Sequence, residues 1–229
     1  MKATIHPDKL TAWYDFQAPF YSLWRDRSEH PAFAAVLATL GCAPGLSLLD
    51  AGCGSGLFSV FLASRRPAWT VCAVDASGGM VDVARRRAGS LGLASLAIEV
   101  GDLRRLRWAD KTFDAIVLSG VFPNLSEPWK TSRELWRVLK VGGRMVVIEF
   151  ARERMSILTQ LLFHVMIWGY RAISAVFRQF RFAEGWSLEA TTIPVDELCE
   201  LLQSAGFQVE QTSHVSSYYI VSFIKGSGS

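Results

Sequence analysis

A doubly wound α/β fold with a mostly parallel sheet is what this sequence predicts, and three observations predict it. Short aliphatic or β-branched runs alternate with helical patterns from residue 46 onward. The first run ends in a glycine-rich turn, Asp50-Ala51-Gly52-Cys53-Gly54-Ser55-Gly56, that opens a helix. The last two runs are separated only by a short polar turn, which pairs them antiparallel.

Strands fall at 46–51, 70–75, 95–100, 113–119 and 143–150, where branched and aliphatic side chains suit a pleated, buried surface. Helical patterns fill 56–65, 78–91 and 127–140, the last opening at Ser126-Glu127-Pro128 with an N-cap and an early proline. A helix near 195–205, closed by Gly206, leads to Phe207–Ser213 and Tyr218–Lys225, an antiparallel edge pair that brings the sheet to seven strands. Two aromatic-rich segments stand outside this alternation. Residues 10–33 carry Trp13, Tyr14, Phe16, Phe20, Tyr21, Trp24 and Phe33, and residues 151–182 are inserted after the fifth strand. Open α/β sheets bind ligands beyond the carboxyl ends of their strands, so both segments are expected to close that crevice.

At 229 residues, 50% hydrophobic and 20% charged, the chain can bury one substantial core and is short for two catalytic domains. A net charge of +3 gives no support to nucleic-acid binding. Cys42, Cys53, Cys72 and Cys199 have neither zinc-site spacing nor the density of a disulfide scaffold, so they read as small apolar filler in a reduced protein. The N-terminus lacks the charged start and apolar run of an export signal, and a cytoplasmic location is expected.

The glycine loop carries the first chemistry. Its glycines let the backbone turn sharply and approach a ligand, and the helix that follows offers unpaired N–H groups. Dinucleotide binding asks for Gly-x-Gly-x-x-Gly, but Leu57 follows Gly56, so the spacing favours adenosylmethionine over a nicotinamide cofactor. Val71-Cys72-Ala73-Val74-Asp75 is an apolar strand ending in a carboxylate, which can accept from both ribose hydroxyls of either cofactor. Glu99-Val100-Gly101-Asp102-Leu103 ends in a third acid, suited to an adenine amino group or to a turn.

In order and spacing, residues 46–150 resemble the class I S-adenosylmethionine-dependent methyltransferases, whose sheet is Rossmann-like. Phe113-Asp114-Ala115-Ile116-Val117 is similar to that family's fourth strand, and Glu134 to Arg144 to the helix and Gly142-Gly143 turn before its fifth. The resemblance implies S-adenosyl-L-methionine as cofactor, Gly52, Cys53, Gly54 and Gly56 along its methionine and ribose parts, and Asp50 ordering the loop. It implies Asp75 on the ribose and Gly101, Asp102 and Leu103 at the adenine, which Ala76 and Met80 flank. Ser119 and Gly120 would lie near the methionine, with Tyr14 and Tyr21 closing over the cofactor. Residues 1–225 then form one methyltransferase domain: a helical cap at 10–40, a cofactor-binding core at 46–150 and an amphipathic lid at 151–190, with 226–229 as a linker remnant.

Within the class, Tyr14-Asp15, Tyr21 and Trp24, the strand ending Val147-Ile148-Glu149-Phe150 and the aromatic insertion resemble the ubiquinone/menaquinone C-methyltransferase branch. That branch carries an Arg-Asn pair past its fourth strand. Here Pro123 stands in the arginine's place beside Asn124, which opens the acceptor to other lipophilic molecules. A quinol ring carbon, a phospholipid amine and the O, N or S atom of a secondary metabolite are the candidates. A nicotinamide-dependent oxidoreductase and a non-catalytic cofactor-binding protein are the readings from other classes.

On a helical wheel Gln160, His164, Arg171, Ser174, Arg178 and Arg181 share one face of the insertion and the apolar side chains the rest. Residues 151–182 hold five arginines against one glutamate, a pattern suited to peripheral membrane contact through 155–182 or to a lid packed on its own domain or on a second subunit. Monomer and homodimer both remain open. Methyl transfer from a sulfonium needs alignment and exclusion of water, with no metal. Where an acceptor proton must be shared, His164 is the first candidate base and Glu149 and His30 follow, while the resemblance implies that Asn124 would handle the acceptor hydroxyl.

Overall fold

The computed structural model describes residues 7–25, 31–93, 96–157, 160, 161, 164, 165, 168, 169 and 192–226. Helices α1 (Pro7–Arg25) and α2 (Pro31–Leu40) precede β1 (Ser47–Ala51), α3 (Leu57–Arg65), β2 (Thr70–Asp75), α4 (Gly78–Ser90) and β3 (Ala97–Val100). Then come β4 (Phe113–Ser119), a 3₁₀ turn over Phe122–Asn124, α5 (Pro128–Val138), β5 (Leu139–Phe150), α6 (Val195–Ser204), β6 (Phe207–Val215) and β7 (Tyr218–Lys225). The strands form one sheet in the order β3-β2-β1-β4-β5-β7-β6. β3, β2, β1, β4 and β5 run parallel and β6 and β7 form an antiparallel pair at one edge, as the sequence predicts, with β7 lying between β5 and β6.

Alternation within each strand divides the core into two layers. In β4, Ala115 and Val117 face α2, α3 and α4 with Leu48, Val36, Phe58 and Val81, while Ile116 and Leu118 face α5 and α6 with Leu135, Leu198 and Leu202. All of these are buried, as expected of strands covered by helices on both faces. Lys225 closes the second layer by donating through Nζ to the main-chain oxygens of Trp136 and Leu139, satisfying carbonyls at the α5 C-terminus.

One boundary differs from the sequence reading. The helix expected over 127–140 ends at Val138, and the turn expected at Gly142-Gly143 lies inside β5, whose strand begins at Leu139. Pairing with β4 jumps from Phe113↔Leu139 to Ala115↔Arg144, so Lys140 to Gly143 form a bulge. Gly142 sits at φ 75°, and a Cβ on Gly143 would come within 2.8 Å of both Leu139 Cδ1 and the Lys140 carbonyl. Only glycines fit, and the bulge keeps both parts of the strand on the sheet.

β1 and β4 are neighbours whose onward connections go to opposite sides, β1 toward β2 and β4 toward β5. Their carboxyl ends mark the switch point where an α/β sheet opens its binding crevice.

Candidate active site at the switch point

A cavity of about 750 Å³ opens there. The strand order lays its chemistry out in a line. Asp102 lies past β3, Asp75 ends β2, the glycine loop follows β1, Ser119-Gly120 ends β4, and Phe150 and Tyr218 come from β5 and β7. Polar recognition sits at one end of this line and an aromatic wall at the other. Of the residues singled out from sequence as cofactor-binding, Tyr14, Tyr21, Asp50, Gly52, Cys53, Gly54, Asp75, Ala76, Met80, Gly101, Asp102, Leu103, Ser119 and Gly120 all line the cavity.

Gly56 does not. It sits at φ 74°, and a Cβ there would come within 2.6 Å of the Ala84 Cβ. This glycine lets α3 and α4 approach, so its role is packing rather than ligand contact. Gly56→Ala therefore combines left-handed backbone strain with an overpacked helix contact, and is expected to lower unfolding stability by roughly 2–4 kcal/mol in a denaturant titration. Gly54 differs, because its Cβ position is open space at the cavity wall.

Backbone bonds hold the loop. The N–H groups of Gly52 and Cys53 both donate to the Val74 carbonyl, at 2.8 and 3.0 Å, and Arg87 of α4 donates to the Ser55 carbonyl at 2.9 Å. Asp50 is buried and accepts from the Ser59 hydroxyl of α3. Burial pushes its carboxyl up to about 7, against the lowering effect of Ser59, with the Asp75 charge adding a smaller push upward. The Cys53 thiol is raised well above its ordinary range, first by burial and then by Asp50 and Asp75, which favours the protonated form.

Asp75 is preorganised. Its Oδ1 accepts from the Ser77 N–H at 2.9 Å and its Oδ2 from the Gly54 N–H at 2.8 Å, which fixes the carboxylate against both the loop and the start of α4. Each oxygen keeps a lone pair for a further donor, as two ribose hydroxyls require. Burial raises the Asp75 carboxyl, while these backbone donors lower it. Asp102 is instead clasped by Arg104, whose Nε and Nη2 reach its carboxylate at 2.7–3.0 Å while Nη1 reaches Glu127 at 3.0 Å. Hydrogen bonding to Arg104 holds Asp102 below the usual carboxylate range. Arg104 and Glu127 were not singled out from sequence; their signal was two opposite charges 23 residues apart, which only the fold brings together.

The proposed acid–base groups separate. Glu149 is 1% exposed, and its Oε1 accepts from the Val121 and Phe122 N–H groups at 2.9 and 3.0 Å, capping the turn beyond β4. Asn124 lines the cavity and donates through Nδ2 to the Gly120 carbonyl at 3.0 Å. His164 is exposed, with Nδ1 2.7 Å from the Gln160 carbonyl, and is not part of the cavity wall. His30 lies outside the described residues, as do Arg171, Ser174, Arg178 and Arg181.

The aromatic wall is assembled from distant positions. Phe33 of α2 meets Phe58 of α3 at 4.5 Å between ring centroids, and Phe150 of β5 meets Tyr218 of β7 at 4.5 Å; all four line the cavity together with Leu10, Leu57 and Ile148. Among the described residues no His, Cys, Asp and Glu cluster suits a metal ion. No helix among them is long and apolar enough to cross a membrane.

Comparison with known proteins identifies the family. Residues 49–147 match the model of a family described as a methyltransferase domain. A demethylmenaquinone methyltransferase of Deinococcus radiodurans is 36% identical over 137 residues, 60% of this chain and 55% of that protein, so the match spans little more than half of that relative. A demethylmenaquinone methyltransferase of Thermobifida fusca is 33% identical over 174 residues, 76% of this chain and 70% of its own length. Among solved structures, a SAM-dependent methyltransferase from Aquifex aeolicus superposes with a TM-score of 0.69 at 21% identity, covering 96% of this chain and 98% of its own, a likeness of fold. On these matches the chain belongs to the S-adenosylmethionine-dependent methyltransferase family and resembles its quinone-biosynthesis branch.

Proposed function

We propose that this enzyme transfers the methyl group of S-adenosyl-L-methionine to a neutral, hydrophobic aromatic acceptor, with a quinol ring carbon as the leading case. The observation that carries the reading is the aromatic and aliphatic wall of Phe33, Leu57, Phe58, Ile148, Phe150 and Tyr218, of which Phe150 and Tyr218 come from β5 and β7, far from β3 and Asp102 in the strand order. Arg104 is the one cationic residue among the described residues of the wall, and it is engaged by Asp102 and Glu127. Among the described residues the aromatic end of the wall offers no free cation for a phosphate head group, which favours a quinol over a phospholipid amine.

The cofactor residues fit the donor. Asp75 holds two hydrogen-bond acceptors in place for a diol, and Gly54 leaves room for close approach. The sulfonium supplies an activated methyl group, so the protein's work is to align the acceptor atom behind it and keep water out. We assign the Asn124 amide oxygen as acceptor for the substrate hydroxyl, since its nitrogen is already held by Gly120. Glu149 acts by holding the Val121–Phe122 turn beneath that site.

Delivery from a lipid phase accords with the insertion. Ile157, Leu161, Val165 and Trp168 recur at spacings of four, four and three, and all are exposed, Ile157 by 86% and Trp168 by 73%. These positions share one helical face in a segment with a surplus of arginine.

The test is a panel of demethylated quinols, phosphoethanolamine and small amines, read as S-adenosylhomocysteine formed. Turnover is expected with the quinols, and Phe150→Ala with Tyr218→Ala should raise the acceptor KM by about tenfold, one lost aromatic contact surface being worth roughly 1.5 kcal/mol. Turnover confined to phosphoethanolamine or an amine would overturn the acceptor assignment. Replacing Ile157 and Trp168 with aspartate should reduce co-sedimentation with anionic vesicles. Binding that ignores both changes would remove the membrane part alone.

A further inference from the structure

α1 is tied to the cofactor site through the Asp15 carboxylate. Asp15 Oδ1 accepts from the Ser77 hydroxyl and, at 2.9 Å, from the Gly79 N–H. Ser77 is the N-cap of α4 and its Oγ accepts in turn from the Met80 N–H at 3.1 Å. Two backbone donors that the first turn of α4 would otherwise leave unmade are thus satisfied by a chain of bonds that ends on another helix. The approach is close. A Cβ on Gly79 would come within 3.1 Å of the Asp15 Cα and 3.2 Å of the Ala18 Cβ, so α1 lies in tight contact with this turn.

Ser77 also faces the other way. Its N–H donates to Asp75 Oδ1, so one residue binds the ribose carboxylate through its backbone and the α1 carboxylate through its side chain. Around this node α1 supplies Leu10, Thr11, Tyr14, Asp15 and Tyr21 to the cavity, and Ala18 packs against Met80 and Val83. A carboxylate that caps α4 from outside therefore also sets where the helix over the nucleoside end of the cavity sits.

We propose that Asp15 is a positioning residue for cofactor binding: through Ser77 it latches α1 over the cofactor and couples closure of that helix to the geometry of Asp75. The inference rests on the cavity being the adenosylmethionine site. Asp15 and Asp75 both line the cavity, and after burial the Asp15 charge also raises the Asp75 carboxyl, so the ligand brings a cation to two acids.

Calorimetry of S-adenosylmethionine and S-adenosylhomocysteine, with limited proteolysis within α1, tests the latch without any acceptor. Asp15→Ala is expected to weaken both ligands about tenfold and to abolish the protection of α1 that saturating ligand gives the unaltered protein. Asp15→Asn keeps an oxygen that can accept the same two bonds and should remain within about threefold. Ser77→Ala should weaken binding similarly, and the double variant Asp15→Ala/Ser77→Ala should be no weaker than the worse single one, because both remove one coupled unit. A helix that merely stabilises the fold would lower the melting temperature in Asp15→Ala, Ser77→Ala and the double variant and leave the ligand constants additive. Affinity of Asp15→Ala within twofold of the unaltered protein, or strict additivity with Ser77→Ala, overturns the latch. Failure of the unaltered protein to bind either ligand would instead overturn the cofactor assignment.

Discussion

Asp75→Ala is expected to weaken S-adenosylhomocysteine binding by about a hundredfold or more, roughly 3 kcal/mol, because two charge-assisted hydrogen bonds to a diol are lost together. The loss extends beyond those bonds. Without the carboxylate, the Gly54 and Ser77 N–H groups lose the acceptor that fixes the glycine loop against the start of α4. Ligand must then order both segments as it binds, and that ordering subtracts from affinity. Stability should move differently. The carboxyl is raised by burial, so the folded protein without ligand holds a charge at a cost, and removing it should leave the melting temperature unchanged or slightly higher. Calorimetric titration with thermal unfolding of the ligand-free variant separates the two. Affinity within threefold of the unaltered protein would exclude Asp75 from the binding site; a collapse of the melting temperature would make its role one of folding.

What could be read from sequence was what is local in sequence. Asp50, the alternating glycines and Asp75 sit at strand ends, and a strand end with its turn is a pattern within ten residues, so these positions and the succession of strands and helices followed directly. Gly56 read as one more ligand glycine because its neighbour Ala84 lies on another helix. The start of β5 was misplaced because Leu139-Lys140-Val141 suits helix or strand equally, and the bulge that decides it depends on pairing with Phe113. Asp15 was visible only as half of a Tyr-Asp pair; its partner Ser77 is 62 residues away. The aromatic wall draws on α2, α3, β5 and β7 and has no sequence spacing at all. His164 was chosen from helical periodicity, which predicts faces but not what lies opposite them, and its ring is exposed.

Asp50 should make the ligand-free protein lose stability as pH rises. Its carboxyl titrates near 7 in the folded chain against an ordinary value near 3.8, so between those limits the folded state holds a proton that the unfolded state has released. Stability therefore falls with rising pH across that window, is fully present below about 3.8 and is gone above about 7. A shift of about three pH units corresponds to a loss on the order of 4 kcal/mol. Carboxylates held low by arginine, such as Asp102 and Glu210, act in the opposite sense, so the Asp50 contribution is read as the difference between the protein and Asp50→Asn. That difference should fall steadily between about pH 4 and about pH 8 in denaturant unfolding, and a flat difference would mean that Asp50 is ionised throughout. Ligand charge enters the same linkage. Asp50 and Asp75 share the cavity wall, and a cation brought among them favours the ionised form. S-Adenosylmethionine binding near pH 6 should therefore release close to one proton, measured in two buffers of different ionisation heat, and release should vanish near pH 8.5. S-Adenosylhomocysteine, which lacks the sulfonium, should release fewer protons and bind more weakly than the donor as pH rises. A site that holds its donor more tightly than its product once Asp50 is ionised has a route for product release built into its charge, and equal pH dependence of the two ligands would remove that route.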